Sequence, residues 1–190
     1  IAEIGINRLS IGIQSFYDED LKLMNRAHSS SQAESSVKRA QDTGIQNISV
    51  DLIYGAPTSN FEIWKQNLDK ALEHDKNYYL VYSALAHFYQ LHGDASAAHQ
   101  AYQQALKLDP KQGDTHNNFG AFLCGRGEFV QAYEQFEAAL SSPNYYRQAD
   151  TYENIALCAQ AENRRELYQQ AFDKLRQIDA HRAEKLNRAK

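Results

Sequence analysis

The chain has 190 residues, 43% of them hydrophobic and 23% charged, which suits a folded protein of one domain or two small ones. Its net charge of −4 provides no basic surface for nucleic acid or an anionic membrane. No apolar run reaches the length of about 18 residues that spans a bilayer, and no signal peptide is visible. The first residues already belong to a strand–helix pattern, so we expect a fragment of a longer protein.

The chain contains two cysteines, Cys124 and Cys158. Two thiols cannot build a disulfide framework or a four-cysteine metal site. Their spacing equals the period of the helical repeats described below, which predicts equivalent core-facing positions on two helices rather than a redox pair. The seven histidines are scattered without the spacing of metal ligands, so we predict no metal site.

The first quarter of the chain alternates strands and helices. Residues 8–14 alternate apolar with polar or small side chains, as a strand does. Asp18 is predicted to cap a short helix over residues 19–25. Serines 29–31 supply caps for a second helix that runs to about Thr43 and stops at Gly44.

A second strand is predicted over residues 48–54, and a third helix, with its apolar side chains on one stripe, over residues 59–74. The order strand, helix, strand, helix predicts parallel pairing with a right-handed crossover. Two such units cannot close a barrel, so this piece alone would expose strand edges.

Three segments, GINRLSIGIQSF, MNRAH and NISVDLIYGAP, follow one another within residues 1–74. Together they resemble the oxygen-independent coproporphyrinogen III oxidase family and its haem-chaperone relatives, which are radical S-adenosylmethionine proteins built on a partial (β/α) barrel. The resemblance implies that residues 1–75 are a fragment of such a barrel. It also implies that Gln14, Arg26 and Asp51 match positions that help to hold S-adenosylmethionine.

The chemistry of these three residues suits that role, because a carboxylate can bind a ribose hydroxyl and a guanidinium can bind the methionine carboxylate. The alternative, which we favour, is that Arg26 and Asp51 form an ion pair that supports the barrel wall. The family's CxxxCxxC motif, which holds a [4Fe–4S] cluster, is missing from this sequence. We therefore predict no enzyme activity and no cofactor for this chain, although a parent of residues 1–75 would use S-adenosylmethionine and a [4Fe–4S] cluster.

From Tyr79 onward the sequence repeats with a period of 34 residues. Small and large residues recur in the order of a tetratricopeptide repeat. The first series is Tyr82, Leu85, Ala86, Tyr89, Gly93, Ala98, Tyr102, Ala105 and Pro110. The second series is His116, Phe119, Gly120, Leu123, Gly127, Ala132, Phe136 and Ala139.

A third repeat keeps the pattern of the first helix but has Asn163 in place of the turn glycine and Tyr168 in place of a small residue. We therefore predict that residues 76–180 form a stack of three repeats. Their ranges are 79–112, 113–146 and 149–180. The charged residues 181–190 are predicted to form a polar or frayed tail.

Within this class, the runs DTHNNFGAFLCGRGEFVQAYEQFEAAL, SSPNYY and TYENIALCA resemble the type IV pilus biogenesis and stability protein, a pilotin-type lipoprotein of Gram-negative bacteria, over residues 77–162. The resemblance implies a periplasmic scaffold, anchored to the outer membrane, that helps the pilus secretin to assemble. The sequence departs from that family in lacking a lipobox cysteine and in having fewer repeats.

Tetratricopeptide arrays bind proteins or peptides in the concave groove that the first helices of the repeats line. The predicted groove residues are Ser83, His87, Gln90, Asn117, Ala121, Cys124, Glu153 and Leu157. The amide of Asn117 could hydrogen-bond a peptide backbone. The lysines and arginines that clamp a C-terminal carboxylate in chaperone-binding arrays are absent. Each groove residue taken singly is better explained as solvated helix surface, and the groove hypothesis concerns the set.

The predicted fold class is α/β followed by all-α, a partial (β/α) barrel segment and then a tetratricopeptide stack. The predicted function is protein–protein binding in type IV pilus biogenesis, with secretin subunits as the implied partner. Two alternatives stay open: a fragment of a radical S-adenosylmethionine enzyme or haem chaperone, and a recombined coding sequence without a function as a whole. The two resemblances imply different compartments, the cytoplasm for the barrel segment and the periplasm for the repeats.

Overall fold

A computed structural model of the chain describes residues 8–45, 47–53 and 61–188. The chain forms two compact units, Ile1–Val81 (unit 1) and Tyr82–Lys190 (unit 2), whereas the sequence pattern changes near Asp75. Most of the described chain is helical, and the sheet within it has two parallel strands. None of the helices in the described ranges has the length and hydropathy needed to cross a membrane.

Unit 1 has the strand–helix order expected from the sequence. Its elements are β1 (Arg8–Gln14), α1 (Asp18–Leu23), α2 (Ser30–Asp42), β2 (Asn47–Leu52) and α3 (Phe61–His74). The two strands pair in parallel, as a strand–helix–strand crossover requires. The predicted end of the second strand and start of the third helix lie outside the described residues.

The two short helices differ in how well their caps were predicted. Ser29 is the N-cap of α2 and forms a capping box there, and Gly44 follows its end with φ at +83°. The prediction that Asp18 caps α1 is wrong, because the N-cap is Tyr17. Asp18 instead accepts a hydrogen bond of 2.7 Å from the backbone N–H of Ser30, and this bond lowers the pKa of the Asp18 carboxyl.

A small apolar core holds the sheet to α2. Ile13, Phe16, Ala33 and Val37 are buried together, and Ile11, Tyr17, Val50 and Leu52 pack against them. Ser10 lies on the opposite, exposed face of the sheet. The sheet is therefore covered on one face, as expected for strands whose crossover helix packs on one side.

Buried polar contacts hold α3 to the turn after β1. Asn67, which is 2% exposed, accepts a hydrogen bond of 2.7 Å from the backbone N–H of Phe16. Its amide also donates to the Ser15 hydroxyl at 3.3 Å, and this hydroxyl donates to Asp20 at 2.8 Å. Because each of these buried groups has a partner, the contact stabilises unit 1 instead of costing desolvation energy.

Seven helices follow α3. They are α4 (Tyr79–Leu91), α5 (Ala95–Leu108), α6 (Gly113–Gly125), α7 (Phe129–Ser141), α8 (Gln148–Ala161), α9 (Arg165–Ile178) and α10 (Ala180–Arg188). The first six correspond to the helix pairs of the three predicted repeats. The residue that turns each pair has positive φ: +75° at Gly93, +77° at Gly127 and +63° at Asn163. Asn adopts this left-handed conformation more readily than most other non-glycine residues.

Small residues bring the helices of unit 2 close together, as the repeat pattern predicted. A Cβ atom at Gly120 would lie 2.6 Å from the ring of Phe136, so only glycine fits there without displacing that ring. Ala132, on the same helix as Phe136, is fully buried. Between repeats, the ring of Tyr102 stacks on Phe119 with centroids 5.1 Å apart.

The chain after α9 forms a helix, where the sequence analysis expected a polar tail. Ala183 and Leu186 of α10 are buried, although most of its other residues are exposed. Arg182 contacts the carboxylates of Asp150 and Glu153 on α8. The two buried side chains and this double ion pair explain why a charged segment is ordered as a helix that covers the last repeat.

Asn67→Ala is expected to lower the free energy of unfolding of unit 1 by about 1–3 kcal/mol, because the Phe16 N–H would stay buried without an acceptor. Trp64 is the single tryptophan and is buried in α3, so its fluorescence during urea unfolding reports on unit 1. Gln66→Ala is the control: it removes a half-buried bond from the Tyr17 hydroxyl and an exposed one to Glu62, and should cost about 0.5–1 kcal/mol. Equal losses for the two variants would contradict the role given to Asn67.

Unit 2 should lose stability as the pH rises from 10 to 12. Burial raises the pKa of Tyr102 from 10.0 to about 12, so in this range the unfolded side chain ionises while the folded one does not. Between pH 10 and 12 the Tyr102→Phe variant should lose less free energy of unfolding than the wild type, by up to about 2 kcal/mol. Melting curves of both proteins across this pH range measure the difference. Tyr146→Phe, at a side chain that is 90% exposed, should follow the wild type. Parallel behaviour of all three proteins would show that Tyr102 does not contribute.

Candidate protein-binding groove

The predicted groove residues lie on α4, α6 and α8, and they differ in exposure. His87, Gln90 and Leu157 are exposed, Ser83, Ala121, Cys124 and Glu153 are partly buried, and Asn117 is buried. A side chain must be accessible to contact a ligand, so the exposed members carry most of the binding capacity of this surface.

Asn117 joins two helices of unit 2 to each other. It is 4% exposed, and its Oδ1 accepts a hydrogen bond of 3.0 Å from the amide of Asn154 on α8. The sequence analysis had assigned the Asn117 amide to a peptide backbone. Its observed position fixes the distance between α6 and α8, which are two of the helices that line the groove.

Cys124 and Cys158 form a disulfide bond between α6 and α8, with their Cα atoms 5.8 Å apart. The prediction of equivalent core-facing positions, favoured over a redox pair, is therefore wrong. The positive-φ turn residues explain the error, because Gly93 and Gly127 keep the 34-residue period but Asn163 comes two residues late. The third repeat is thus shifted by two residues, so cysteines 34 apart occupy different positions in their repeats.

The acidic groups near the groove are already paired with arginines. Arg182 contacts Asp150 and Glu153, while Arg147 contacts Asp150 and Asp114. Burial lowers the pKa of Arg182, but its hydrogen bonds to the two carboxylates outweigh this effect and raise the pKa above its ordinary value. This part of the groove therefore offers a ligand little unbalanced charge.

An apolar surface remains available between these paired groups. Leu157 is 47% exposed on α8, and Ala121 holds the equivalent position on α6 once the two-residue shift is counted. On α4, the Gln90 side chain accepts a hydrogen bond from Tyr102, whereas His87 is exposed. The groove can therefore contact apolar side chains at α6 and α8 and polar groups at α4.

In unit 1 the structure brings together two of the three residues assigned to S-adenosylmethionine. The Arg26 guanidinium donates to the Gln14 side chain at 3.0 Å, while Asp51 accepts from the Ser10 hydroxyl at 3.0 Å. Within the described residues the favoured ion pair between Arg26 and Asp51 does not form. A Cβ atom at Gly12 would lie 2.8 Å from the Gln14 amide, so Gly12 leaves room for that side chain.

Replacing both cysteines by serine is expected to lower the free energy of unfolding of unit 2 by about 3–4 kcal/mol. The disulfide joins residues 34 positions apart, and without it the unfolded chain gains conformational entropy. Melting of the oxidised protein against the double variant measures the loss. Treating the wild type with a reductant should reproduce it, whereas the double variant should not respond to reductant. An unchanged melting temperature for reduced wild type would show that the bond does not stabilise the stack.

Comparison with known proteins confirms the resemblance seen at the start of the chain. Residues 1–71 match the radical SAM superfamily. The heme chaperone HemW of Bacillus subtilis is 36% identical over 85 residues, which are 45% of this chain and 22% of HemW. The oxygen-independent coproporphyrinogen III oxidase of Helicobacter pylori is 38% identical over 79 residues, 42% of this chain and 17% of the oxidase. The chain thus spans about a fifth of these relatives.

Solved structures confirm the tetratricopeptide fold. PilW, a widely conserved type IV pilus biogenesis factor, superposes with a TM-score of 0.58 and 20% identity over 75% of this chain and 58% of PilW. PilF of Pseudomonas aeruginosa superposes with a TM-score of 0.61 and 23% identity over 77% of this chain and 59% of PilF. YrrB, a tetratricopeptide protein with an unusual peptide-binding site, superposes with a TM-score of 0.57 and 19% identity. The match covers 88% of this chain and 77% of YrrB.

One relative matches most of the chain. An uncharacterized protein of Haemophilus influenzae is 59% identical over 132 residues, which are 70% of this chain and 74% of that protein. The matched stretch is longer than the sequence on either side of Asp75, so it includes residues from both sides. The chain therefore belongs to the same family as this Haemophilus influenzae protein.

Proposed function

We propose that unit 2 is a protein-binding scaffold for type IV pilus assembly, whose groove on α4, α6 and α8 holds a segment of a pilus secretin subunit. The observation that carries this proposal is the exposed Leu157 on the groove side of a tetratricopeptide stack. The likeness of the chain to a pilus biogenesis factor over 75% of its length, and to a peptide-binding repeat protein over 88%, supports it.

The chemistry of the groove favours an apolar partner segment over a charged one. Asn117, Cys124 and Glu153 are each bonded to a neighbouring helix, so they hold the surface in shape without offering free polar groups. Leu157 and Ala121 then supply apolar area, whose burial drives association. A segment with apolar side chains at helical or strand spacing fits this surface better than a charged chain terminus does.

The disulfide supports an oxidising compartment such as the periplasm for unit 2. Bonds of this kind form and persist in secreted and periplasmic proteins and are rare in the reducing cytosol. The Cys124–Cys158 bond joins two groove helices, so in a reducing compartment the groove would lose one of its two α6–α8 bridges. This agrees with the location implied by the pilus resemblance.

A second candidate concerns unit 1, which we infer to be a segment of a radical S-adenosylmethionine (β/α) barrel. The contact between Arg26 and Gln14 at the end of β1 favours it, since both residues match the family's cofactor positions. The chain does not fit the family's [4Fe–4S] cluster, because its two cysteines are consumed by the disulfide in unit 2. Reconstitution with iron and sulfide tests this: a cluster absorbance from this chain would overturn the inference.

Leu157→Glu is expected to weaken the binding of purified secretin subunits to the full chain by about tenfold or more, because the new charge must be desolvated in an apolar contact. Val130→Glu is the matched control, since Val130 is 70% exposed on α7, away from the groove helices. Circular dichroism checks that both variants fold. Equal affinities for the two variants would show that the binding site does not include Leu157. Absence of binding by the wild type would exclude secretin as the partner.

A further inference from the structure

Unit 1 contains a cleft of about 410 Å³ whose walls are mostly apolar. It lies between α2, β2, the last turn of α3 and the first turn of α4. Its apolar walls include Val37, Ile48, Val50, Leu52 and Ala71. This volume falls within the range of about 300–1,000 Å³ that small-molecule sites occupy in proteins.

The apolar wall arises from the way β2 is covered. Ile48, Val50 and Leu52 alternate along the strand, so they share one face, and each stays only half-buried. In the described part of the chain β2 pairs with β1 and with no other strand. Ile48, Val50 and Leu52 line the cleft, so an apolar ligand there could bury them further.

Polar groups lie at one end of the cleft. The ring of His74 stacks on Phe16 with centroids 5.8 Å apart, which fixes its position. Asp75 accepts a hydrogen bond of 2.8 Å from the backbone N–H of Asn77, which orients its carboxylate. Tyr78 adds a hydroxyl to the same lining. Apolar walls with a few converging polar groups are typical of ligand sites.

The electrostatic environment at this end favours a hydrogen-bond donor or a cation. Burial raises the pKa of Tyr78, which keeps its hydroxyl neutral. The guanidinium of Arg8 acts in the opposite direction, while the carboxylates of Asp51 and Asp75 add negative charge near the hydroxyl. Asp75 itself lines the cleft, so its carboxylate is the charge that a bound head group would meet there.

We propose that this cleft binds a small apolar molecule with a hydrogen-bond-donating or cationic head, such as an aromatic or branched aliphatic amine. The apolar body lies against α2 and β2, and the head contacts Asp75 and Tyr78. This site belongs to unit 1 and is independent of the groove proposed for unit 2.

Three probes with one ring and different heads test the proposal on the full chain: benzylamine, benzyl alcohol and benzoate. The methyl signals of Ile48, Val50 and Leu52 should shift saturably with the first two probes and least with benzoate. Asp75→Asn should reduce the preference for benzylamine over benzyl alcohol by about two- to fivefold, the range expected for an exposed charge pair. Equal binding of benzylamine and benzoate would overturn the assignment of the head group.

Ala71→Phe fills the cleft and should abolish the saturable shifts, whereas Ala27→Phe, at an exposed residue of the same unit, should keep them. Trp64 fluorescence shows whether each variant folds, and Val50→Phe replaces Ala71→Phe if that variant does not. Absence of saturable shifts in the wild type, or their persistence in a folded, filled variant, would show that the cleft is not a ligand site.

Discussion

The close approach of α6 and α7 at Gly120 sets the geometry of the repeat stack. The ring of Phe136 and the carbonyl of Ala132 occupy the space that a side chain at Gly120 would need. This contact fixes the spacing of the pair and leaves α6 beside α8, the first helix of the next repeat. The Asn117–Asn154 bond and the disulfide can then bridge these two helices. The groove surface is therefore a consequence of tight packing behind it.

Local signals in the sequence were sufficient to predict the strands and the helices up to α9, but not α10 or the side-chain pairings between distant residues. The cap at Ser29 and the turn glycines each act within a few residues, so their patterns are readable directly. The disulfide depends on a two-residue shift in the third repeat, for which Asn163 was a visible sign. The pairing of Arg182 with α8 depends on where α10 packs, which no local pattern encodes.

α3 satisfies both sequence patterns at once. Its last residue, His74, precedes the last residue of α5, Leu108, by one repeat period of 34 residues, so the end of α3 has the register of a repeat's second helix. One of its faces nevertheless carries Asn67, which bonds to the turn after β1. The match to the Haemophilus influenzae protein covers 132 of the 190 residues. Wherever this matched stretch begins along the chain, it includes α3. The two patterns therefore overlap within α3.

The disulfide in unit 2 and an iron–sulfur cluster require cysteine in different oxidation states. Radical S-adenosylmethionine chemistry needs cysteine thiolates to hold iron, whereas the groove in unit 2 uses its cysteines as a covalent link between helices. Conditions that keep Cys124 and Cys158 oxidised favour the scaffold and remove both thiols from any role in a cluster. In unit 1, the contact of Arg26 with Gln14 holds these two side chains together at the end of β1. The disulfide therefore supports the binding role proposed for unit 2, because it joins two of the helices that line the groove.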